Sequence, residues 1–237
     1  MQQNGIILSF GGGGFTHDTD PELEDICLGF LPENPALGYV GWANNDDETR
    51  IARFYQRFQG VAGSLSHLPK HSGAAETQDW LAGKDMVYFA GGNTAHLIDR
   101  LIATDAHTAF RAANKNGCVL AGVSAGGVCW FDWVLSDAGG QGYQPLRGLS
   151  FVHGGVCPHY TSEPGRAPLF SRAASERTDS AAFAIDDGAG IVCVDGVEQG
   201  YVCARQNSAA YRLTGAAGAM CATPLPPFNW DAHRPGP

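Results

Sequence analysis

The stretch Cys118-Val-Leu-Ala-Gly-Val-Ser-Ala-Gly-Gly-Val-Cys-Trp130 decides the fold. Cys118 to Gly122 is a short run of apolar and small residues that reads as a buried strand, and the apolar character resumes from Val128 to Val134. Ser124 therefore falls where a strand gives way to a helix. A hydroxyl at that corner is either a helix cap or a nucleophile. Gly122-Val-Ser-Ala-Gly126 fits the G-x-S-x-G elbow, in which a sharp strand-to-helix turn holds the serine Oγ proud of the sheet and small neighbours avoid clashes. The same turn offers the backbone N–H of Ala125 as an oxyanion donor.

Strands and helices alternate upstream of this corner. Gly5-Ile-Ile-Leu-Ser-Phe10, Leu37-Gly-Tyr-Val-Gly41 and Met86-Val-Tyr-Phe-Ala90 are further short apolar runs ending in small residues. Between them, Asp46 to Gln59 carries Ile51, Phe54, Tyr55 and Phe58 at helical spacing. Thr94 to Ala103 reads as a helix capped by Thr94, and Thr104 to Asn116 as another. The alternation predicts an α/β chain with a mostly parallel sheet covered by helices on both faces, and function at the carboxyl ends of the strands. After Gly155 the rhythm changes. Ala184 to Asp187, Gly190 to Val194, Gly200 to Ala204 and Ala210 to Leu213 read as strands joined by tight turns, giving C-terminal hairpins and a loose proline-rich tail from Pro224 onward. No repeat or linker divides the chain, so residues 1–237 are read as one domain with 200–237 as its hairpin and tail extension.

Composition narrows the function. A chain of 237 residues, 44% hydrophobic and 16% charged, supplies one full core. With 15 basic against 24 acidic residues and no Lys/Arg cluster, neither nucleic acid nor an anionic membrane is an expected partner. No apolar run approaches the ~20 residues that span a bilayer. The beginning of the sequence shows no signal-type segment, so a cytoplasmic location is expected. Seven cysteines are scattered singly without CxxC spacing, which predicts reduced thiols, most of them buried, and no disulfide scaffold. No metal-ligand spacing stands out, and no cofactor or metal is expected. The opening Gly11 to Gly14 lacks the lysine of a phosphate loop and the helix of a dinucleotide fingerprint, and is expected to border the active-site cleft.

Two more segments join the elbow. In Tyr88-Phe-Ala-Gly-Gly-Asn-Thr94 a strand runs into paired glycines whose amides are free to face a ligand, so Gly91 or Gly92 is a candidate second oxyanion donor, beside Asn93 as a candidate substrate contact. In Cys157-Pro-His-Tyr160 a histidine follows an apolar run, and of eight histidines His159 has the best context for a general base. His17, His67, His71, His107 and His233 lie in polar stretches and are expected to be solvated. The orienting acid is open at this level: Asp187 is favoured, Asp186 second, with Asp137 a third, while Asp132 is expected one or two helical turns beyond Ser124.

Taken in order, Ile6 to Phe15, Gly91-Gly-Asn-Thr94, Gly122-Val-Ser-Ala-Gly126, Pro158-His-Tyr160 and Ile185-Asp-Asp-Gly188 resemble the peptidase E family of serine peptidases (S51), which includes aspartyl dipeptidase and, more distantly, cyanophycinase. The resemblance implies a three-layer α/β/α sandwich like the class I glutamine amidotransferase core, with serine at the elbow where those enzymes carry cysteine; Cys129 lies five residues past it. It implies Ser124 as nucleophile, His159 as base and the Gly92 and Ala125 amides as oxyanion hole. Aspartyl dipeptidases place a glutamate near the Asp187 position, so the acid here is one methylene shorter. A small peptide is the implied substrate, and a homodimer through the late hairpins is an expected assembly. An N-terminal aspartate would need a cation, for which Arg166 and Arg172 are candidates. The alternative is a relative that binds a peptide or metabolite with little turnover.

Overall fold

A computed structural model describes residues 5–177, 180–216 and 219–232. The chain runs β1 (Ile6–Phe10), α1 (Glu22–Leu28), β2 (Ala36–Val40), α2 (Glu48–Phe58), β3 (Ser64–His67), α3 (Ala74–Leu81) and β4 (Met86–Phe89). It continues through α4 (Thr94–Ala103), α5 (Ala106–Lys115), β5 (Val119–Val123), the four-residue α6 (Ala125–Val128), β6 (Phe131–Ser136), β7 (Gln144–Arg147), β8 (Val152–Cys157) and α7 (Arg166–Ser175). Five strands complete it: β9 (Ala182–Ile185), β10 (Ala189–Val194), β11 (Val197–Cys203), β12 (Ala210–Ala216) and β13 (Ala219–Pro224).

The α/β sandwich expected from the alternation is present, built on two sheets. The first has the order β11-β10-β1-β5-β4-β2-β3, with β1, β5, β4, β2 and β3 parallel and the β10–β11 hairpin antiparallel on one side. Its strands alternate strictly between two cores, as the two-residue period of a strand requires. Leu8, Phe10, Tyr88, Ala121 and Val123 pack with Leu23 and Cys27 of α1 and Phe54 and Phe58 of α2. Ile7, Val87, Phe89 and Leu120 face Leu97 and Leu101 of α4 and Phe110 of α5. The second sheet, β13-β12-β9-β8-β6-β7, places Phe131, Val134, Val156 and Ile185 in that same core and turns Trp133, Leu135, Cys157 and Ala184 toward Phe170 and Ala173 of α7.

Three local expectations are corrected. The segment after α6 is strand β6, so Asp132 lies on a strand, where its Oδ2 accepts from the Gly154 N–H at 2.8 Å. The cap of α4 is Asn93, whose Oδ1 accepts from the His96 N–H at 2.9 Å; Thr94 is its first residue. The tail up to residue 232 is packed, because Leu225 and Phe228 are buried and the Trp230 ring lies 4.7 Å from Phe30. Its remaining residues, His233 included, lie outside those described. Among the described residues no helix is long and apolar enough to cross a membrane, and no disulfide links the cysteines.

Candidate active site

Ser124 is fixed by the backbone before its side chain does anything. It has φ 50° and ψ −123°, an unfavourable conformation for a residue with a Cβ, held by its N–H to Phe10 O and its carbonyl accepting from the Gly127 and Val128 N–H groups, each at 2.9 Å. A Cβ on Gly126 would overlap the Phe89 carbonyl, so only glycine lets α6 turn back this closely onto β4. The hydroxyl does not cap α6. It lies 2.9 Å from His159 Nε2.

His159 follows β8 with φ 52°, and its Nδ1 lies 2.6 Å from Asp187 Oδ1. Both side chains are largely covered. Burial pushes the Asp187 carboxyl up, but the hydrogen bond and charge of His159, with Ser162 and Arg205, outweigh it and leave the group below its ordinary value. A carboxylate so held keeps the proton on Nδ1 and leaves Nε2 to accept from the serine. Of the other acids considered, Asp186 is buried and engaged elsewhere: Oδ1 accepts from Thr161 Oγ1 at 2.8 Å and Oδ2 from Tyr211 OH at 3.0 Å. Asp137 stands on the cavity wall beyond β6.

The glycine-rich loop after β1 closes the back of this line. Gly12 pairs with Asp187 in an isolated bridge and its carbonyl accepts from the Gly188 N–H at 2.9 Å. A Cβ at Gly12 would overlap Asp187 Oδ1 and His159 Cε1. The loop is further tied down by Asp20, which receives a two-pronged pair from Arg205 at 2.5 and 2.6 Å.

Ser124 and His159 open on a cavity of about 230 Å³ also lined by His17, Arg50, Gly91 and Gly92. Larger clefts of about 390 and 440 Å³, one between α3 and α5 and one beside Arg53 and Arg57, lie away from Ser124. Gly92 has φ 149°. Neither its amide nor that of Ala125 donates to a protein acceptor among the described residues. Asn93 is occupied as the α4 cap, with its Nδ2 3.4 Å from Ala138 O.

Arg166 is on the cavity but already partnered. Its Nε lies 2.6 Å from Glu163 Oε2, its Nη1 donates to Leu135 O at 3.2 Å, and its guanidinium sits over the Tyr143 ring. Burial raises the Glu163 carboxyl, yet the hydrogen bonds from Tyr143 and Arg166 prevail and hold it below its ordinary value. Arg172, the other candidate cation, is exposed on α7 and is not among the cavity's lining residues. Sequence reasoning assigned no role to His17, Arg50 or Glu163. His17, expected to be solvated, is exposed at the cavity, whereas His67 and His107 are half-buried and bonded to Tyr55 OH and Leu101 O.

The model of peptidase family S51 matches residues 6–199, from β1 to the middle of β11. The chain belongs to that family. As a member of S51 it is a serine peptidase. It is 32% identical over 223 residues, 93% of its own length and 96% of the other's, to the uncharacterized peptidase YgaJ of Bacillus subtilis (strain 168). Two solved structures share the fold. A peptidase from an acI-B1 Actinobacterium superposes with a TM-score of 0.63 at 19% identity, covering 94% of this chain and 98% of that one. A protein assigned to peptidase E from Listeria monocytogenes EGD-e gives 0.59 at 16% identity, covering 90% and 100%.

Proposed function

We propose that this S51 member hydrolyses short peptides through an acyl-enzyme on Ser124. The observation that carries the proposal is the unbroken hydrogen-bonded line from Asp187 through His159 to Ser124 at the mouth of a small polar cavity. His159 Nε2 takes the serine proton as Oγ attacks the scissile carbonyl, and Asp187 stabilises the imidazolium that forms. The Gly92 and Ala125 N–H groups receive the negative charge that develops on the carbonyl oxygen, each contributing about 3 kcal/mol to the transition state. The imidazolium then protonates the leaving amine, and water, deprotonated by the same nitrogen, releases the acyl group.

The volume of the cavity, below the common range for ligand sites, favours dipeptides or similarly short chains. Aspartate as the N-terminal residue, which Arg166 suggested, is a weak substrate in this proposal because Glu163 already holds that guanidinium.

A dipeptide panel of Ala-X, Gly-X, Glu-X and Asp-X, with wild type and Ser124→Ala in parallel and fluorophosphonate labelling of both, tests this. Hydrolysis and labelling by wild type alone support it. A wild type that is neither labelled nor active leaves a binding pocket as the better reading.

A further inference from the structure

Arg50, on the first turn of α2, lines the cavity, and the turn before it, from Trp42 to Asp47, packs behind the paired glycines. The Ala43 carbonyl accepts from the Asn93 N–H at 2.8 Å, and a Cβ on Gly92 would overlap that same carbonyl, so the segment lies flush against the paired glycines. Two side chains, one from the helix and one from the turn, then converge on one atom. Arg50 Nη1 donates to the Gly91 carbonyl at 2.9 Å, and Asn44 Nδ2 donates to it at 3.1 Å. Both donors are themselves braced: the Asp47 side chain accepts from the Arg50 N–H, and Asn44 Oδ1 accepts from the Asp47 N–H, each at 3.0 Å.

The peptide joining Gly91 to Gly92 is planar and trans, so fixing the direction of its carbonyl fixes its N–H on the opposite side. Two glycines in succession leave that plane free to rotate unless something outside holds it. The carbonyl is held by one guanidinium N–H and one side-chain amide N–H. A Cβ built on Gly91 would stand 3.3 Å from the Ser124 Cβ, which puts this peptide against the elbow itself. Among the described residues no carboxylate forms an ion pair with the Arg50 guanidinium, which keeps its donors for the Gly91 carbonyl. A charged donor on a carbonyl draws electron density through the amide and makes the attached N–H a stronger donor.

We propose that Arg50, assisted by Asn44, is a positioning residue for acyl transfer: it sets the Gly91–Gly92 peptide so that the Gly92 N–H faces the developing oxyanion, and lends that N–H its charge. The inference rests on Ser124 being the nucleophile. Arg50 makes no hydrogen bond to Ser124, whose hydroxyl is bonded to His159.

The test compares wild type, Arg50→Ala, Arg50→Lys and Asn44→Ala by the rate of fluorophosphonate labelling and by steady-state hydrolysis of a dipeptide and of its C-terminal amide. Arg50→Ala should lower kcat and the labelling rate together by roughly ten- to hundredfold on both substrates, with KM changed by less than about threefold. Arg50→Lys, which restores the charge without the planar fork, should recover part of the loss and keeps the test usable should the alanine variant not fold. Asn44→Ala should show the same pattern more weakly. Labelling of Arg50→Ala at the wild-type rate would overturn the inference alone. So would a loss confined to KM and to the free-carboxylate dipeptide, which would make Arg50 a clamp for the substrate's terminus. Absence of labelling in wild type would remove the Ser124 nucleophile and this inference with it.

Discussion

Glu163 occupies Arg166 as an acidic substrate side chain would, with Oε2 2.6 Å from the guanidinium Nε and Tyr143 donating to the same oxygen at 2.6 Å. A second carboxylate entering there meets a neutralised cation and a like charge. Wild type should therefore cleave Ala-X faster than Asp-X by roughly tenfold in kcat/KM, and Glu163→Gln should shift that ratio toward Asp-X by a similar factor. A ratio unchanged by Glu163→Gln would show that the Glu163–Arg166 pair does not set the choice.

The closeness of Gly12 to Asp187 makes a one-methyl change informative. Gly12→Ala has no room between its own backbone and the Asp187 and His159 side chains, so the Asp187–His159 pair must shift relative to Ser124. A displacement on the order of 1 Å in a catalytic group costs roughly a hundredfold in rate. The variant should lose about that factor in kcat while keeping a cooperative thermal transition. Wild-type turnover in Gly12→Ala would mean that the loop does not brace the acid.

Asp187→Asn keeps the shape of the acid and removes its charge. The amide favours the wrong imidazole tautomer, and kcat should fall by about four orders of magnitude. The stability consequence has a definite sign. The folded Asp187 carboxyl titrates below its ordinary 3.8, so it stabilises the fold above that pH, and the contribution is lost as pH falls through the depressed folded value. The difference in melting temperature between wild type and Asp187→Asn should accordingly be constant near neutrality and shrink in strong acid. A difference that widens on acidification would contradict the assignment.

The first sheet was legible because β1, β4 and β5 are short apolar runs closed by small residues, and α4 carries its apolar side at helical spacing. Of the second sheet only β9 and β12 were legible as strands. Phe131–Ser136 follows the elbow after a helix of only four residues, and a short apolar run there reads equally as more helix. Ala182–Ile185 is apolar throughout, which says that it is buried but not beside which strand. In the tail, prolines erase any period, yet Leu225 and Phe228 still bury their side chains. At the site, Ser124, His159 and Asp187 announce themselves by standing at strand ends. Arg50 does not, because an arginine on the polar side of an amphipathic helix carries no mark of a carbonyl 41 residues away.

Glu24 gives a pH dependence away from the proposed reaction. Its side chain is fully buried on α1, where Oε2 accepts from the Phe15 N–H at 3.2 Å and Arg57 Nε stands 3.8 Å off. Burial dominates these favourable contacts and pushes the carboxyl up from 4.5 to about 7. The folded chain thus holds this proton more tightly than the unfolded chain. The stabilisation is complete below the unfolded value of 4.5 and is lost as pH rises through about 7, a swing on the order of 3 kcal/mol. Glu24→Gln keeps an acceptor for the Phe15 N–H and has no proton to lose. Its stability relative to wild type should therefore improve steadily between pH 4.5 and 7 and level off above, read as the difference in denaturant midpoint across that range. A difference that stays flat over the interval would mean that Glu24 is ionised throughout and paired with Arg57 in the folded chain.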